Sequence, residues 1–248
     1  MSGVALITGA ADRIGAAMAR GLAKAGFKVI VHYNRSRSKA EDLVAKINNE
    51  GGAAACIGAD LTDTKARGTL VERAGEPFGP LTILINNASV FHADTAHAID
   101  EDHWHIHFTL HAEVPTRLAA DFARQLPEGA SGSVINMIDE RVLRPDTEFF
   151  SYYLSKSVLW TATRNMALTY APHIRVNAIG PGPTLQDVHQ TEEEFEASQR
   201  ALPLGQGADL EDFARAALFL IETPSITGQM LALDGGAHLN WRRKDGDE

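Results

Sequence analysis

Short apolar runs alternate with longer amphipathic stretches along almost the whole chain. Val4–Thr8, Lys28–Tyr33, Ala53–Gly58, Leu81–Ile85, Ser133–Met137, Ile174–Ala178 and Gln229–Leu233 read as strands. Leu81–Ile85 is continuous enough in apolar character to be buried on both faces. Helical periodicity falls between them, over Arg13–Ala25, Ser38–Asn49, Asp63–Gly75, Asp102–Gln125, Ser151–Tyr170 and Asp209–Glu222. Gly26, Gly51-Gly52 and Pro172 stand where helices should stop, because glycine accepts a left-handed cap and proline cannot continue the ladder. Pro181–Leu204 is a polar insertion, and Thr191-x-x-Glu194 within it has capping-box spacing, which predicts a short helix.

Strand–helix alternation of this kind predicts an α/β fold: one doubly wound, parallel sheet of about seven strands, with helices on both faces and right-handed crossovers. No repeat or linker interrupts it, so one domain is expected over residues 1–241, with an insertion at 183–204 and a charged, disordered tail at 242–248. Ligands of such sheets lie beyond the carboxyl ends of the strands. The chemically distinctive residues follow strand ends here: Thr8–Arg13, His32–Ser36, Asp60-Leu61, Asn86–Ser89, Asp139 and Gly180-Pro181-Gly182.

Composition narrows the partners. The 248 residues carry a formal charge of −9 without any long basic block, which argues against nucleic acid or an anionic membrane as the main partner. No apolar run approaches the length of a bilayer span, and no basic, apolar leader precedes the first strand. Cys56 is the only cysteine, so no intramolecular disulfide forms, and a cytoplasmic location is expected. At the end of what reads as an inner strand, Cys56 is most simply a small core residue.

The turn after the first strand, Thr8-Gly9-Ala10-Ala11-Asp12-Arg13-Ile14-Gly15, leaves N–H groups at the positive end of a helix. That is an anion site suited to a dinucleotide pyrophosphate, with Gly9 for the tight turn and Gly15 for close helix–strand packing. An enzyme that prefers NAD usually places an acid at the end of the second strand. Here the sequence reads His32-Tyr33-Asn34-Arg35-Ser36-Arg37, and no carboxylate occurs until Glu41. Arg35 offers a planar donor fork for a phosphate, Asn34 and Ser36 add neutral donors, and Arg13 lies across the turn. The segment His32–Ser36 is therefore assigned to the 2′-phosphate side of NADPH. The alternative is that Arg35, Arg37 and Lys39 form a solvated cluster, although a helix N-terminus does not favour cations.

Tyr152 and Lys156 are four apart on a predicted helix and face the same way. A free tyrosine titrates at about 10, and a neighbouring ammonium is expected to lower that value toward working pH. Tyr153 is three residues from Lys156 and is expected to point away, into packing.

These motifs, in this order, resemble the short-chain dehydrogenase/reductase family over nearly the whole chain. The matching pieces are Thr8-Gly9…Gly15, Asp60-Leu61, Asn86-Asn87-Ala88-Ser89, Tyr152-x-x-Ser155-Lys156, Arg175-Val176-Asn177, Gly180-Pro181-Gly182 and Asp234-Gly235-Gly236. The resemblance implies a Rossmann-type domain and a homotetramer. It implies cofactor contacts at Gly9, Arg13, Ile14, Gly15, His32, Tyr33, Asn34, Arg35, Ser36, Asp60, Leu61, Asn87, Ala88, Ser89, Pro181 and Gly182, with Lys156 on the nicotinamide ribose. It places Trp104 and Trp160 on helices that pair subunits, and it lets His238–Trp241 reach a neighbouring site. The 183–204 insertion would then close over substrate.

Three departures from the family pattern carry further information. Arg13 replaces a glycine, Asp139 replaces a serine thirteen residues before the tyrosine, and His111 replaces an asparagine of a proton relay. Together they are similar to the pteridine reductases, the bacterial dihydromonapterin reductases in particular. That resemblance implies a catalytic set of Tyr152, Lys156, Asp139 and His111, and a pterin-like substrate stacked on Phe91 and oriented by Arg13, Ser89, Asp139 and Tyr152. Two other readings stay open: a reductase of ketones, sugars or acyl thioesters, which Asp139 argues against, and a non-catalytic cofactor sensor, which the intact Tyr152–Lys156 pair argues against.

Other features are weaker. His103, His105, His107 and His111 crowd one helix, and His107 and His111 have a zinc-compatible spacing, yet no acid or thiolate completes a motif. No metal is assigned, and a helical surface with one site-facing histidine is expected. Glu192, Glu193, Glu194 and Glu196 read as a solvated face that favours a helix start.

Overall fold

The computed structural model describes residues 3–144, 147–186 and 190–239; Trp241 and the 242–248 tail lie outside the described residues. Seven strands, β1 Val4–Ile7, β2 Lys28–Tyr33, β3 Ala53–Gly58, β4 Ile83–Asn86, β5 Gly132–Met137, β6 Ile174–Pro181 and β7 Met230–Leu233, form one sheet in the order β3-β2-β1-β4-β5-β6-β7. Every strand pair is parallel. From β1 the chain winds outward to β3, then returns to lay β4 on the other side of β1. The carboxyl ends of β1 and β4 therefore bound the crevice where the winding reverses, which is where such sheets take ligands.

All residues of β1, β4 and β5 are buried, as central strands covered on both faces require. One face is covered by α1 Arg13–Lys24, α2 Arg37–Asn49 and α9 Leu210–Glu222, through Met18, Leu22, Leu43, Ile47, Phe213 and Leu220. The other face is covered by α4 Leu70–Gly75, α6 Val114–Gln125 and α7 Phe150–Tyr170, through Leu70, Val71, Leu118, Phe122 and Met166. Phe122 and Phe213, fully buried on opposite faces, each contribute roughly 2–3 kcal/mol of burial energy. No helix among the described residues is long and apolar enough to cross a membrane.

The structure departs from the sequence expectation at four places. The helix expected over Asp63–Gly75 is split at Thr69 into α3 Thr64–Gly68 and α4, where glycine and a β-branched residue weaken the ladder. The helix expected over Asp102–Gln125 consists of α5 Glu101–Phe108, a π-helical turn Thr109–Glu113, and α6. Pro115 has no N–H to give the His111 carbonyl, so the turn widens and Val114 N–H reaches Thr109 O instead. β6 runs on to Pro181 because β7 pairs with it there. Cys56 lies on β3, which is an edge strand and not an inner one, and it is only half-buried. Within the insertion, α8 Glu192–Arg200 begins with the predicted Thr191/Glu194 capping box and buries none of its residues.

Candidate active site

The turn after β1 is held by its neighbours. The Thr8 hydroxyl oxygen accepts the N–H groups of Asn87 at 2.9 Å and Ala88 at 3.0 Å, and the Asn87 amide donates back to Thr8 O and Gly9 O. Gly9 has φ +61°, and a Cβ there would lie 2.9 Å from the Ala88 Cα. A Cβ on Gly15 would lie 2.6 Å from the Asn87 amide nitrogen. Both glycines are thus needed for the turn to sit against β4. Asp12 caps α1 by accepting the Arg13 N–H at 2.8 Å, and Arg13 itself sits at φ +54° with its side chain exposed. Ile14, beside it, is half-buried against the core.

His32 requires a correction. Its ring is 1% exposed: Nδ1 accepts the Gly9 N–H at 3.1 Å and Nε2 donates to Ala59 O at 3.0 Å. Both nitrogens are used to brace the turn, so the side chain does not face outward beside Asn34 and Arg35. Burial pushes it down to about 4, which keeps it neutral. Tyr33 is half-buried, its ring lying against Gly58. The exposed cations divide. Arg37 pairs with Glu41 at 2.7 Å and Lys39 with Asp12, whereas Arg13 and Arg35 form no ion pair among the described residues. Arg35, Asn34 and Ser36 are exposed together at the end of β2. This donor set, without a carboxylate in the segment, fits a phosphorylated ribose better than a free 2′-hydroxyl.

Farther round the crevice, the Asp60 carboxylate accepts the Thr62 hydroxyl and N–H, which holds it below its ordinary range, and Leu61 is buried. Pro181 ends β6 and Gly182 follows it. A Cβ on Gly182 would lie 2.6 Å from the Asp234 Cα, so this backbone also needs glycine.

At the centre, the Tyr152 hydroxyl donates to Asp139 Oδ2 at 2.9 Å, and Asp139 Oδ1 accepts the Arg141 N–H. Burial first, and the Asp139 carboxylate next, raise the Tyr152 phenol well above its ordinary value; a hydrogen bond with Ser89 pulls the other way. This reverses the expected lowering by Lys156. The Lys156 ammonium donates to Met137 O at 2.8 Å and stands 5.6 Å from the Tyr152 ring centre, not at its hydroxyl. Burial lowers Lys156 to about 8. Tyr153 points away as expected, its hydroxyl donating to the carbonyls of Arg141 and Arg144.

Phe91 stands edge-on to Tyr152 at 4.8 Å and is stacked on Phe149 at 4.1 Å, with the Arg141 guanidinium over both rings. His111, 1% exposed, packs its ring against the Tyr152 ring. Its nitrogens meet Ser155 Oγ, Ser89 Oγ and the Val90 N–H, so neither reaches Lys156. His107 is equally buried, which corrects the expectation of a single site-facing histidine. Among the described residues no group of three or more His, Cys, Asp or Glu side chains is placed to hold a metal.

Residues 9–238 match the family model described as enoyl-(acyl carrier protein) reductase. The chain belongs to the short-chain dehydrogenase/reductase family. It is 32% identical over 244 residues to the Streptomyces violaceoruber protein named "Granaticin polyketide synthase putative ketoacyl reductase 2", covering 95% of this chain and 96% of that one. It is also 32% identical over 241 residues to 2-dehydro-3-deoxy-D-gluconate 5-dehydrogenase of Dickeya dadantii, covering 94% of both. Among solved structures, FolM alternative dihydrofolate reductase 1 of Brucella suis, in complex with NADP, superposes with a TM-score of 0.94 at 46% identity over 97% of each chain. The Brucella canis protein, also complexed with NADP, gives 0.94 at 45% identity over 98% of this chain and 97% of that one.

For a short-chain dehydrogenase/reductase, the residues that sequence reasoning missed are telling. Phe149, at φ +58°, and Arg141 complete the aromatic wall around Phe91. Glu140, next to Asp139, is 2% exposed, and burial followed by the Asp139 charge raises it to about 7. The matched four-residue spacings of His107/His111 and Ser151/Ser155 were a visible signal for a contact between two helices. Trp104, expected at a subunit interface, stacks on Phe108, which lines an open apolar groove of about 780 Å³ with Leu154, Val158 and Tyr170. Trp160 stacks under the Arg164 guanidinium.

Proposed function

We propose that this oxidoreductase reduces a pteridine of dihydropterin or dihydrofolate type with NADPH. The observation that carries the reading is the 2.9 Å hydrogen bond from Tyr152 to Asp139, beside the Phe91 ring. A carboxylate in this place accepts amidine-like N–H groups and takes part in proton transfer, which a serine hydroxyl does less well. The 46% identity to an alternative dihydrofolate reductase solved with NADP supports the same substrate and cofactor class.

NADPH, when bound, supplies the hydride to the carbon of a C=N bond. The nitrogen then takes a proton from the Tyr152 hydroxyl, leaving a phenolate. That phenolate lies against the Asp139 carboxylate, so it is costly until a proton returns from solvent through Asp139. In this reading Lys156 holds the nicotinamide ribose, Arg13 and Arg35 hold the 2′-phosphate, and Phe91 stacks on the pterin. The reading includes a homotetramer, which the open groove beside Phe108 and Val158 supports as an interface.

The test is to mix the protein and NADPH with dihydromonapterin, dihydrobiopterin, dihydrofolate and an acetoacetyl thioester, and to follow loss of NADPH. Oxidation with the pterins alone is expected. Thioester turnover without pterin turnover would overturn the reading in favour of a general carbonyl reductase, and cofactor binding without any oxidation in favour of a sensor.

A further inference from the structure

Three stretches interlock beside Tyr152. His103, His107 and His111 follow one another at four-residue steps along α5 and the π turn. Ser151 and Ser155 are four apart on α7. Ser89–Asp94, which carries Phe91, belongs to no helix or strand. His107 Nδ1 lies 2.8 Å from Ser151 Oγ, and His111 Nδ1 lies 2.9 Å from Ser155 Oγ. The opposite ring nitrogens accept backbone donors: the His92 N–H meets His107 Nε2 at 3.3 Å, and the Val90 N–H meets His111 Nε2 at 3.2 Å. Asp94 Oδ1 accepts the Ser151 N–H at 2.9 Å, and its carbonyl accepts the Phe150 N–H at 3.2 Å. His103 Nδ1 lies 3.2 Å from Ala93 O, and adds an outer contact.

The spacings agree for a physical reason. Two residues of extended chain advance about 6.6 Å, and four residues of α-helix advance about 6 Å. Val90 and His92, two apart, therefore keep in step with His111 and His107, four apart, while Phe91, between two clamped donors, is left to the site.

The donors also fix the tautomers. A backbone N–H only donates, so Nε2 accepts in both rings, at His111 from the Ser89 hydroxyl at 2.9 Å as well, and the proton sits on Nδ1. Each Nδ1–H then donates to its serine, and the Ser155 hydroxyl in turn donates a hydrogen bond to the backbone carbonyl of Tyr152 at 2.6 Å. An imidazolium has no lone pair for the Val90 or His92 N–H, so the arrangement requires both rings neutral.

We propose that His107 and His111 are positioning residues, a pair of neutral Nδ1–H clamps that fix the segment presenting Ser89 and Phe91 to substrate against the helix carrying Tyr152 and Lys156. Only the identity of the ring on Phe91 rests on the pteridine reading. His107 is faced by His92 and Asp94 from the segment, by His103 and His111 from its own helical run, and by Tyr152 and Lys156 from α7. His111 is faced by His107, His92, Tyr152 and Lys156. Of the groups that shift them, only Asp94 favours a charged ring, at His107; burial and the remaining charges hold His107 near 4 and His111 well below its ordinary value. Both clamps are closed at neutral pH, and strong acid opens them.

The experiment uses the whole protein with and without NADPH. Long-range proton–nitrogen spectra of ¹⁵N-histidine-labelled protein at pH 7 are expected to show both rings as neutral Nδ1–H tautomers. His107→Asn keeps a donor toward Ser151 and loses the acceptor for His92; His107→Gln keeps an acceptor there. The first is expected to raise the dihydropterin KM by about tenfold, the effect of one lost hydrogen bond, with kcat within about twofold and NADPH affinity unchanged; the second should restore KM. Nε2–H tautomers, or equal loss of kcat in both variants, would overturn the proposal. If His107→Asn does not fold, amide exchange of Val90 and His92 in the unaltered protein decides. Their protection relative to the intrinsic rate at each pH should be lost ahead of that of the sheet as pH falls toward 4, and loss in step with the sheet refutes the clamps. The spectra and the exchange need no turnover, so failure of the pteridine reading remains distinguishable from failure of the clamps.

Discussion

Tyr152 keeps its proton more firmly than an exposed tyrosine, because its conjugate base would sit buried beside a carboxylate. In the proposed reaction, loss of that proton to substrate is coupled to recharging through Asp139. Tyr152→Phe and Asp139→Ala are each expected to lower kcat by about 10²–10⁴, the usual weight of a positioned general acid, while NADPH still binds in a fluorescence titration. Full turnover in either variant would show that the proton travels by another route. At this scale the sequence was informative where a contact depends on residue type and spacing: Tyr152 and Asp139, singled out before any geometry, lie in hydrogen-bond contact. It was silent where the role depends on direction. His32 follows the apolar run of β2 and reads as polar, yet its ring turns inward to serve Gly9. Lys156 is at the expected spacing, yet its ammonium goes to Met137 O.

Among the elements, the π turn is the least legible. A single widened turn leaves the apolar periodicity of 102–125 nearly intact, and Pro115 is acceptable at the start of a new helix as much as within a strained old one. Without that turn the register of His111 against Ser155 cannot be inferred. Strand order is hidden for a different reason: alternation predicts a parallel sheet but not which strand takes the edge, and so Cys56 was misplaced. The capping box of α8, by contrast, is written within four consecutive residues and was readable. Because α8 buries no side chain, its cap matters locally. Thr191→Ala should cost the helix about 1 kcal/mol, seen as faster amide exchange over 192–200, and should leave the melting temperature of the whole protein unmoved.

For the molecule as a whole, buried titratable groups shape stability from both sides. His32 and His107 fall from 6.5 to about 4 on folding, so the unfolded chain binds more protons between those values. Stability is lost there as pH falls, at about 1.4 kcal/mol per pH unit for each group. Glu140 rises from 4.5 to about 7, so the folded chain binds the extra proton and stability is lost as pH rises through that window. The histidines win below pH 6.5, and the optimum from these three groups lies close to it. Glu140→Gln removes only the alkaline loss. Calorimetry should find it more heat-resistant than the parent at pH 8 and indistinguishable at pH 4.5; the opposite order would show that Glu140 is stabilised as an anion by Arg144.

Arg13 holds a left-handed backbone angle that glycine adopts without effort, at a cost of roughly 1–2 kcal/mol. Arg13→Gly should therefore melt higher and, on the proposed phosphate contact of Arg13, hold NADPH less tightly. A population of this protein selected in the laboratory for heat resistance alone would drift toward glycine at this position. One selected for turnover at scarce cofactor would keep the arginine, so the residue recovered from such a contest reports which pressure the chain has been under.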